Sequence, residues 1–185
     1  LSDAIKKGGS YLLGADIAMI EATYQNIDFT LDGNGYTISQ VEGSTNTYAL
    51  FDNVTGKITL KNVKFAGIKG GAVLRTVGAE TTIENVTIEG AETTQVQGLL
   101  RLLGKNTIKN STFTVESYGV RGNGDGGQYD VNITVENTQV TAAQPVVIRK
   151  VTDAKHTYNV TLTSATLNPT TPGDYQVIFT NGADD

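Results

Sequence analysis

An aliphatic residue, any residue and an asparagine recur four times at nearly constant spacing in this chain. The four copies are Leu60-Lys61-Asn62, Ile83-Glu84-Asn85, Ile108-Lys109-Asn110 and Val135-Glu136-Asn137. The asparagines stand 23, 25 and 27 residues apart, and diverged copies occur at Leu31-Asp32-Gly33 and Leu162-Thr163-Ser164. A repeat of about 20 to 50 residues is typical of a solenoid, in which each unit buries its apolar face against its neighbours. The repeat therefore predicts a stack of similar units.

Apolar residues alternate with polar ones on both sides of the repeated asparagine. Two residues before the aliphatic position stand Phe29, Ile58, Thr81, Asn106, Ile133 and Val160, and three residues after the asparagine position stand Phe65, Ile88, Phe113, Val140 and Leu167. A period of two predicts two strands joined by a sharp bend. Asparagine tolerates the left-handed backbone that such a bend needs, and Gly33 would adopt it in the first unit. We expect the asparagine amides to face the core and to bond to the next unit.

The residue just before the bend alternates in charge from one unit to the next. Along the chain this position reads Asp32, Lys61, Glu84, Lys109, Glu136 and Thr163. Parallel strands lie about 4.8 Å apart, so stacked units would place opposite charges beside each other. The charges thus support the same alignment as the apolar residues.

A third apolar segment precedes each unit. These segments are Tyr48–Phe51, Val73–Arg75, Leu99–Arg101, Gly119–Arg121, Val147–Arg149 and Val177–Phe179. Three short strands per repeat predict an all-β fold, a single-stranded right-handed parallel β-helix of about six to seven coils. A left-handed hexapeptide helix would need a shorter repeat of about 18 residues.

One β-helix domain is expected to span the whole chain. It divides into residues 1–25 (a cap helix and first strand), 26–168 (repeating coils) and 169–185 (final strand and tail). The cap helix should run from Ser2, as its N-cap, to Lys7, and be followed by a strand over Tyr11–Met19. Because the open end of a solenoid exposes unpaired strand edges, a neighbouring domain or a second copy is expected over the C-terminal coil.

Composition excludes several classes of partner. The net charge of −5 argues against nucleic acid, whose phosphates require a broad basic surface. No apolar run approaches the roughly 18 residues of a membrane-spanning helix, so membrane insertion is not expected. The absence of cysteine excludes disulfide bonds and thiolate catalysis. No cofactor is predicted.

Two stretches of the N-terminal half resemble a known family. The run Asn26-Ile-Asp-Phe-Thr-Leu-Asp-Gly-Asn-Gly-Tyr-Thr-Ile38, after Leu1-Ser-Asp-Ala-Ile-Lys-Lys-Gly-Gly9, resembles the opening of pectate-lyase-like right-handed β-helix proteins, the pectin lyase fold. Ile58–Phe65 and Thr81–Ile88 are similar to the ordinary coils of that superfamily. The superfamily includes polysaccharide lyases, glycoside hydrolases, adhesins and non-catalytic surface proteins. The resemblance implies a secreted or cell-surface bacterial protein associated with glycans.

All four arginines occupy one position of the third segments, namely Arg75, Arg101, Arg121 and Arg149. Each follows an aliphatic residue expected to face inward, so period two turns the arginines outward as an arginine row. Two interpretations stay open. The arginine row could bind a carboxylated or sulfated polysaccharide through bidentate contacts, or each arginine could pair locally with Glu80, Asp125 or Asp153.

Catalytic residues are not evident beside the arginine row. The next residues are Thr76, Leu102, Gly122 and Lys150, with Asp52 in the first coil. A calcium-dependent lyase site needs clustered carboxylates, and a hydrolase site needs a pair. The glycine-rich stretch Gly122–Asp130 is interpreted as a surface turn, although Asp125 and Asp130 could hold a cation such as calcium. We therefore expect a non-catalytic glycan-binding or structural module; the alternative is a lyase or hydrolase acting on an acidic polysaccharide.

Overall fold

Short parallel strands make up most of the part of the chain that the structure describes. The computed structural model describes residues 1–44, 48–69, 71–90, 96–100, 102–123, 130–150 and 155–181. The helix is α1 (Ser2–Ile5) and the strands are β1 (Gly9–Leu12), β2 (Ile17–Met19), β3 (Ala22–Thr23), β4 (Phe29–Asp32), β5 (Thr37–Gln40), β6 (Ala49–Val54), β7 (Lys57–Ile68), β8 (Gly71–Thr76), β9 (Ala79–Gly90), β10 (Val96–Leu100), β11 (Gly104–Lys109), β12 (Thr112–Thr114), β13 (Tyr118–Asn123), β14 (Val131–Glu136), β15 (Gln139–Ala142), β16 (Gln144–Lys150), β17 (Tyr158–Thr163), β18 (Thr166–Pro169) and β19 (Val177–Asn181).

The strands stack into a parallel β-helix, which confirms the predicted fold class. One sheet runs β1-β4-β7-β9-β11-β14-β17 and continues past a bend into β2, β5, β12, β15 and β18. The second sheet contains the third segments, in the order β19-β16-β13-β10-β8-β6-β3. We call the strands of one circuit a rung. Strands of successive rungs pair in parallel, as burial of a continuous core between stacked units requires.

The β-helix has about five turns rather than the expected six to seven coils. The described strands form seven rungs, and we call the position of a rung along the axis its level. Each of the five inner levels has another rung on both sides. The two end levels are less complete: β3 contains only 2 residues, and β17 is mostly exposed. End rungs lack a neighbour on one side, so only the inner levels form complete, buried turns.

The register of the strands matches the alignment of apolar positions predicted from the repeat. Ile58 pairs with Phe29 on one side and with Thr81 on the other, and the column continues through Asn106 and Ile133. These five side chains are all at most 3% exposed. Burial of alternate side chains therefore sets which residues meet across the rungs.

The alternating charges also stack as predicted. We call Asp32, Lys61, Glu84, Lys109, Glu136 and Thr163 the charge row, and each member pairs with the next. The Lys61 Nζ lies 3.2 Å from the Asp32 carboxylate, and the Lys109 Nζ lies 3.1 Å from that of Glu84. Exposed pairs of this kind contribute roughly 0–1 kcal/mol each, so the charge row favours one register more than it adds stability.

The bend uses the left-handed backbone that the asparagines were expected to supply. The φ angles are 52° at Asn62, 53° at Asn85, 52° at Asn110 and 43° at Asn137. The prediction for Gly33 is wrong, because Asn34 and Gly35 carry the positive φ in the first unit. Gly33 is required for a different reason: a Cβ there would clash with Val63 in the next rung.

The asparagine amides face solvent, which corrects the expectation that they face the core. Asn85, Asn110 and Asn137 are exposed and Asn62 is half-buried. The residue after each asparagine turns inward instead, and Val63 and Val86 are only 3% and 1% exposed. A left-handed residue interrupts the alternation of a strand, so two consecutive side chains lie outside at the bend.

An aromatic cluster fills the core of the first rungs. The ring centroid of Phe51 lies 5.5 Å from that of Tyr24, 6.2 Å from that of Phe29 and 6.0 Å from that of Phe65. All four side chains are at most 3% exposed. Aromatic pairs at such distances add about 0.5–1.5 kcal/mol each beyond the burial of their area. The N-terminal rungs are therefore tightly packed.

The N-terminal cap differs in detail from the expectation. The helix α1 ends at Ile5, which is fully buried, and Gly8 and Gly9 follow with positive φ. Ser2 does not cap it, since no side chain bonds to its first turn. The predicted strand over Tyr11–Met19 is two strands, because β1 and β2 already follow the bend of the next rung.

The C-terminal level exposes residues whose partners are buried. Leu162 is 41% exposed and Phe179 is 49% exposed, whereas their partners Val135 and Ile148 are fully buried. The final strand occupies Val177–Asn181 and includes the predicted third segment Val177–Phe179. The cover expected over this end stays a prediction.

Candidate functional site

The first arginine of the proposed row is engaged in an ion pair. Arg75 donates from Nε and Nη2 to the two carboxylate oxygens of Asp52, with Nη2 2.9 Å from Oδ2. Only 12% of the Arg75 side chain and 8% of the Asp52 side chain are exposed. The guanidinium carbon also lies 4.0 Å from the centroid of the Tyr48 ring. Arg75 is therefore held inside the protein, and its partner is Asp52 rather than Glu80.

The arginines do not share one register, which corrects the expected arginine row. Arg75 pairs with Leu100, and Arg121 pairs with Val147. Arg149 lies two positions further along its strand, opposite Asn123. Arg101 lies outside the described residues. The arginines shift because the third strands align through their buried residues, and the connections between rungs differ in length.

The sheet of third strands is also covered on its outer side. In β8, both Val73 and Leu74 are fully buried, although successive side chains point to opposite faces. In β16, Val147 is 4% exposed beside the fully buried Ile148. The Arg121 guanidinium carbon lies 4.7 Å from the centroid of the Tyr118 ring, so these two side chains are in contact. Around Val73 and Val147 the sheet is therefore buried on both faces and offers little surface to a polymer.

No cluster of carboxylates and histidine suited to a metal ion occurs within the described residues. Of the two groups considered for a cation, Asp130 is described, whereas Asp125 lies outside the described residues, as does Asp153, a suggested partner of Arg149. The pKa of Asp130 is held below its ordinary value, mainly because its carboxylate accepts a hydrogen bond from the backbone N–H of Thr157. His156 Nδ1 lies 3.5 Å from the same carboxylate. These contacts anchor a connection between two rungs.

The surface at the asparagine bend differs from the sheet of third strands, because it is both open to solvent and polar. We call Asn62, Asn85, Asn110 and Asn137 the asparagine row. Beside it, the first outward position of the following strands forms a second file, here named the outer row: Thr37, Lys64, Thr87, Thr112, Gln139 and Thr166. The charge row borders the asparagine row on the other side. Three parallel files of polar side chains thus follow the β-helix axis.

Two cavities open along this bend, and we call them together the bend groove. The first has a volume of about 380 Å³ and is lined by Asp32, Asn34, Gly35, Asn62, Val63, Lys64, Asn85 and Thr87. The second has a volume of about 340 Å³ and is lined by Asn110, Ser111, Thr112, Asn137, Thr138, Gln139, Ser164 and Thr166. Both therefore contain members of the asparagine row and of the outer row.

Hydrogen bonds between rungs orient the exposed amides. Asn85 Nδ2 donates to Asn62 Oδ1 at 2.8 Å, and Asn137 Nδ2 donates to Asn110 Oδ1 at 2.8 Å. Asn62 Nδ2 in turn donates to the Asp32 carboxylate at 3.0 Å. An amide carries two N–H donors and an oxygen with two lone pairs, so each retains capacity for a ligand. The asparagine row is thus a pre-oriented file of donors and acceptors.

Buried hydroxyl groups support the second cavity from below. Ser111 Oγ accepts a hydrogen bond from the backbone N–H of Val86 at 3.1 Å, and Thr138 Oγ1 accepts one from that of Ser111 at 3.2 Å. Both hydroxyls also donate to carbonyl groups of their own rung, at 2.7 and 2.8 Å. At the bend, these two backbone N–H groups therefore donate to side-chain hydroxyls of the next rung and not to its carbonyl groups.

Negative charge at the N-terminal end of the bend groove is stabilised. The pKa of Asp32 lies below its ordinary value, firstly because the carboxylate accepts a hydrogen bond from the backbone N–H of Asn34 and secondly because it accepts one from the Asn62 amide. Lys61 contributes less. Asp32 is thus ionised at neutral pH, with the Lys61 Nζ at 3.2 Å as its counter-charge. Lys64 also lines the first cavity, but its Nζ pairs with the Glu89 carboxylate at 2.7 Å.

A further file was overlooked in the sequence although it could have been found there. The residue two positions before the charge row is always a threonine, and we call these residues the threonine row: Thr30, Thr59, Thr82, Thr107, Thr134 and Thr161. Its signal is the Thr three residues before each repeated asparagine. The sequence contains no comparable signal that the asparagine amides are exposed. The alternation of apolar and polar residues does not show that two consecutive side chains point outward at a bend.

Comparisons of the chain with protein-family models, with curated protein sequences and with solved structures yield no match. The parallel β-helix itself is confirmed, while the resemblance of Asn26–Ile38 to the pectate-lyase-like superfamily stays a prediction. Among the described residues, no helix has the length and apolar character of a membrane span.

Proposed function

We propose that this chain is a non-catalytic β-helix module of a secreted or cell-surface protein, and that it binds or organises polysaccharide. The observation that supports this most directly is the bend groove, an open, polar surface that repeats at every rung. Amides and hydroxyls can both donate and accept hydrogen bonds, as the hydroxyl groups of a sugar do. A surface of this kind suits a polymer with a repeating unit.

The rigidity of the surface supports the same proposal. The asparagine row is held by hydrogen bonds between rungs, and its backbone lies directly over residues such as Val63 and Val86 that are at most 3% exposed. Binding to side chains that are already ordered loses less conformational entropy than binding to flexible ones. Weak contacts at each rung can then sum along a polymer.

The arginines contribute less to this proposal than the sequence suggested. Arg75 is paired with Asp52 and lies in a sheet whose two faces are both buried at that position. An acidic polysaccharide would have to displace a short bidentate contact to reach it. We therefore place the ligand at the bend groove and not at the arginines.

The test is a binding panel combined with an assay for cleavage. The protein is incubated with neutral polysaccharides (cellulose, chitin, mannan) and acidic ones (polygalacturonate, alginate, glycosaminoglycans), with calcium present. Retention is measured by sedimentation or affinity electrophoresis, and unsaturated products are followed by absorbance. Retention without products is expected. Products formed at ordinary enzyme rates would contradict a non-catalytic role and favour a lyase, and a lack of retention on every polymer would contradict glycan binding.

A further inference from the structure

We infer that the second cavity of the bend groove binds an uncharged, extended polysaccharide lengthwise, with about one sugar residue at each rung. This inference rests on the proposed function and adds the site, the orientation and the chemical class of the ligand. Three features carry it: the absence of charged residues from the lining of the second cavity, the repeat of its polar groups, and the absence of aromatic side chains from its lining.

The composition of the second cavity indicates a neutral ligand. All eight lining residues are asparagine, glutamine, serine or threonine, so none carries a charge. The nearest charges belong to the charge row, where Lys109 and Glu136 have opposite signs. An anionic polymer needs a basic surface, whereas uncharged donors and acceptors match the hydroxyl groups of a neutral sugar. The second cavity therefore selects against uronic acids and sulfated sugars.

The spacing of the polar groups indicates how the ligand lies. Asn110, Asn137 and Ser164 occupy the same bend position in three successive rungs, and parallel strands stand about 4.8 Å apart. This step is close to the length of one residue in an extended β-linked polysaccharide. A chain that lies along the groove thus meets the same pair of side chains, one from the bend and one from the outer row, at each sugar.

The lining also predicts that affinity depends on the length of the ligand. No aromatic side chain lines either cavity, so a sugar ring gains no stacking contact there. One rung then offers only a few hydrogen bonds, each with a small net free energy. Several rungs acting together make the binding of a polymer much stronger than that of a single sugar. Oligosaccharides should bind more tightly with each added residue up to the length of the groove.

The experiment compares two sets of three substitutions, each of which replaces polar residues by valine. The groove variant combines Thr112→Val, Gln139→Val and Thr166→Val, which remove exposed polar groups of the outer row while keeping residues that suit a strand. The matched control combines Thr107→Val, Thr134→Val and Thr161→Val, which lie in the threonine row of the same three rungs. Retention on mannan, chitin and cellulose is measured for both variants and the parent, and circular dichroism verifies the fold.

We expect the groove variant to bind about tenfold more weakly or worse, from the loss of three polar contacts, and the control to bind like the parent. Two measurements on the parent do not depend on any variant: side-chain amide NMR signals of Asn110 and Asn137 should shift when a neutral hexasaccharide is added, and raising the salt concentration should leave retention unchanged.

The outcomes separate the inference from the proposed function. If the parent binds a neutral polymer but only the control variant loses affinity, the site is the threonine row and the inference is wrong, while the proposed function stands. If binding is confined to acidic polymers and salt abolishes it, the neutral ligand class is wrong. If the parent binds no polysaccharide and the amide signals stay fixed, both are overturned.

Discussion

The ion pair between Arg75 and Asp52 is a buried electrostatic contact that should be sensitive to mutation. Two guanidinium nitrogens bond to two carboxylate oxygens, and the side chains are only 12% and 8% exposed. The Tyr48 ring covers the guanidinium at 4.0 Å. Water is therefore poorly placed to replace either partner.

Asp52→Ala would leave the Arg75 guanidinium buried without its counter-charge. Removal of one partner from a buried, hydrogen-bonded pair costs about 3–5 kcal/mol. Single domains unfold with a free energy of about 5–15 kcal/mol, so this loss is a large fraction of the total. For a chain of this length, a loss of that size lowers the melting temperature by roughly 6–20 °C.

Urea unfolding followed by circular dichroism, together with thermal melts, measures this loss. The matched control is Glu80→Ala, which removes one partner of the pair with Lys57; these atoms are 3.8 Å apart and the side chains are 73% and 51% exposed. Exposed pairs of this kind contribute little, so the control should change the free energy of unfolding by about 0.5 kcal/mol or less.

A double variant separates the buried charge from the packing. Asp52→Val combined with Arg75→Met removes both charges, so it should lose less stability than Asp52→Ala alone. A cost below about 1 kcal/mol for Asp52→Ala, or a double variant less stable than the single one, would refute the view that an unpaired buried charge is what destabilises the protein.

Three other predictions concern the bend, acid stability and the end of the β-helix. Asn85→Ala should destabilise by about 1 kcal/mol, because alanine tolerates φ of 53° poorly, whereas Asn85→Gly should cost less; equal costs in urea unfolding would contradict this. The folded-state pKa of Asp32 lies below the ordinary value of 3.8, so its stabilising contribution is present above that pH and is lost as pH falls through the lower folded value. The urea midpoint of the parent should therefore fall between neutral and strongly acidic pH by more than that of Asp32→Asn. An equal fall in both proteins would contradict a stabilising role of the Asp32 carboxylate. Phe65→Ala, at a fully buried inner position, should cost about 3–5 kcal/mol, whereas Phe179→Ala, 49% exposed at the last level, should cost far less; similar losses would mean that the C-terminal level is covered in solution.

The stacking of the rungs could be predicted from the sequence alone. Phe29, Ile58 and Thr81 were aligned through a period of two, and the structure pairs them in that order. The charge row followed from the same alignment. Such predictions succeed because burial of alternate side chains is a local pattern, and a shift by one residue would turn every apolar group toward water.

The register and the partners of the arginines were decided only by the tertiary structure. Sequence spacing placed Arg121 and Arg149 in one file, but the structure sets them two positions apart, because the third strands align through buried residues and not through their polar ones. Asp52 could not be identified as the partner of Arg75, since the two stand 23 residues apart and meet only when the rungs stack.

The direction of the asparagine side chains was decided in the same way. Asparagine at the bend was apparent from the repeat, and its left-handed backbone is confirmed at Asn62. A left-handed residue breaks the alternation, however, and only the packing of Val63 into the core shows that the amide beside it faces outward. The sequence thus determined which residues stack, through local periodicity, while the three-dimensional packing at the bend determined which polar groups a ligand can reach.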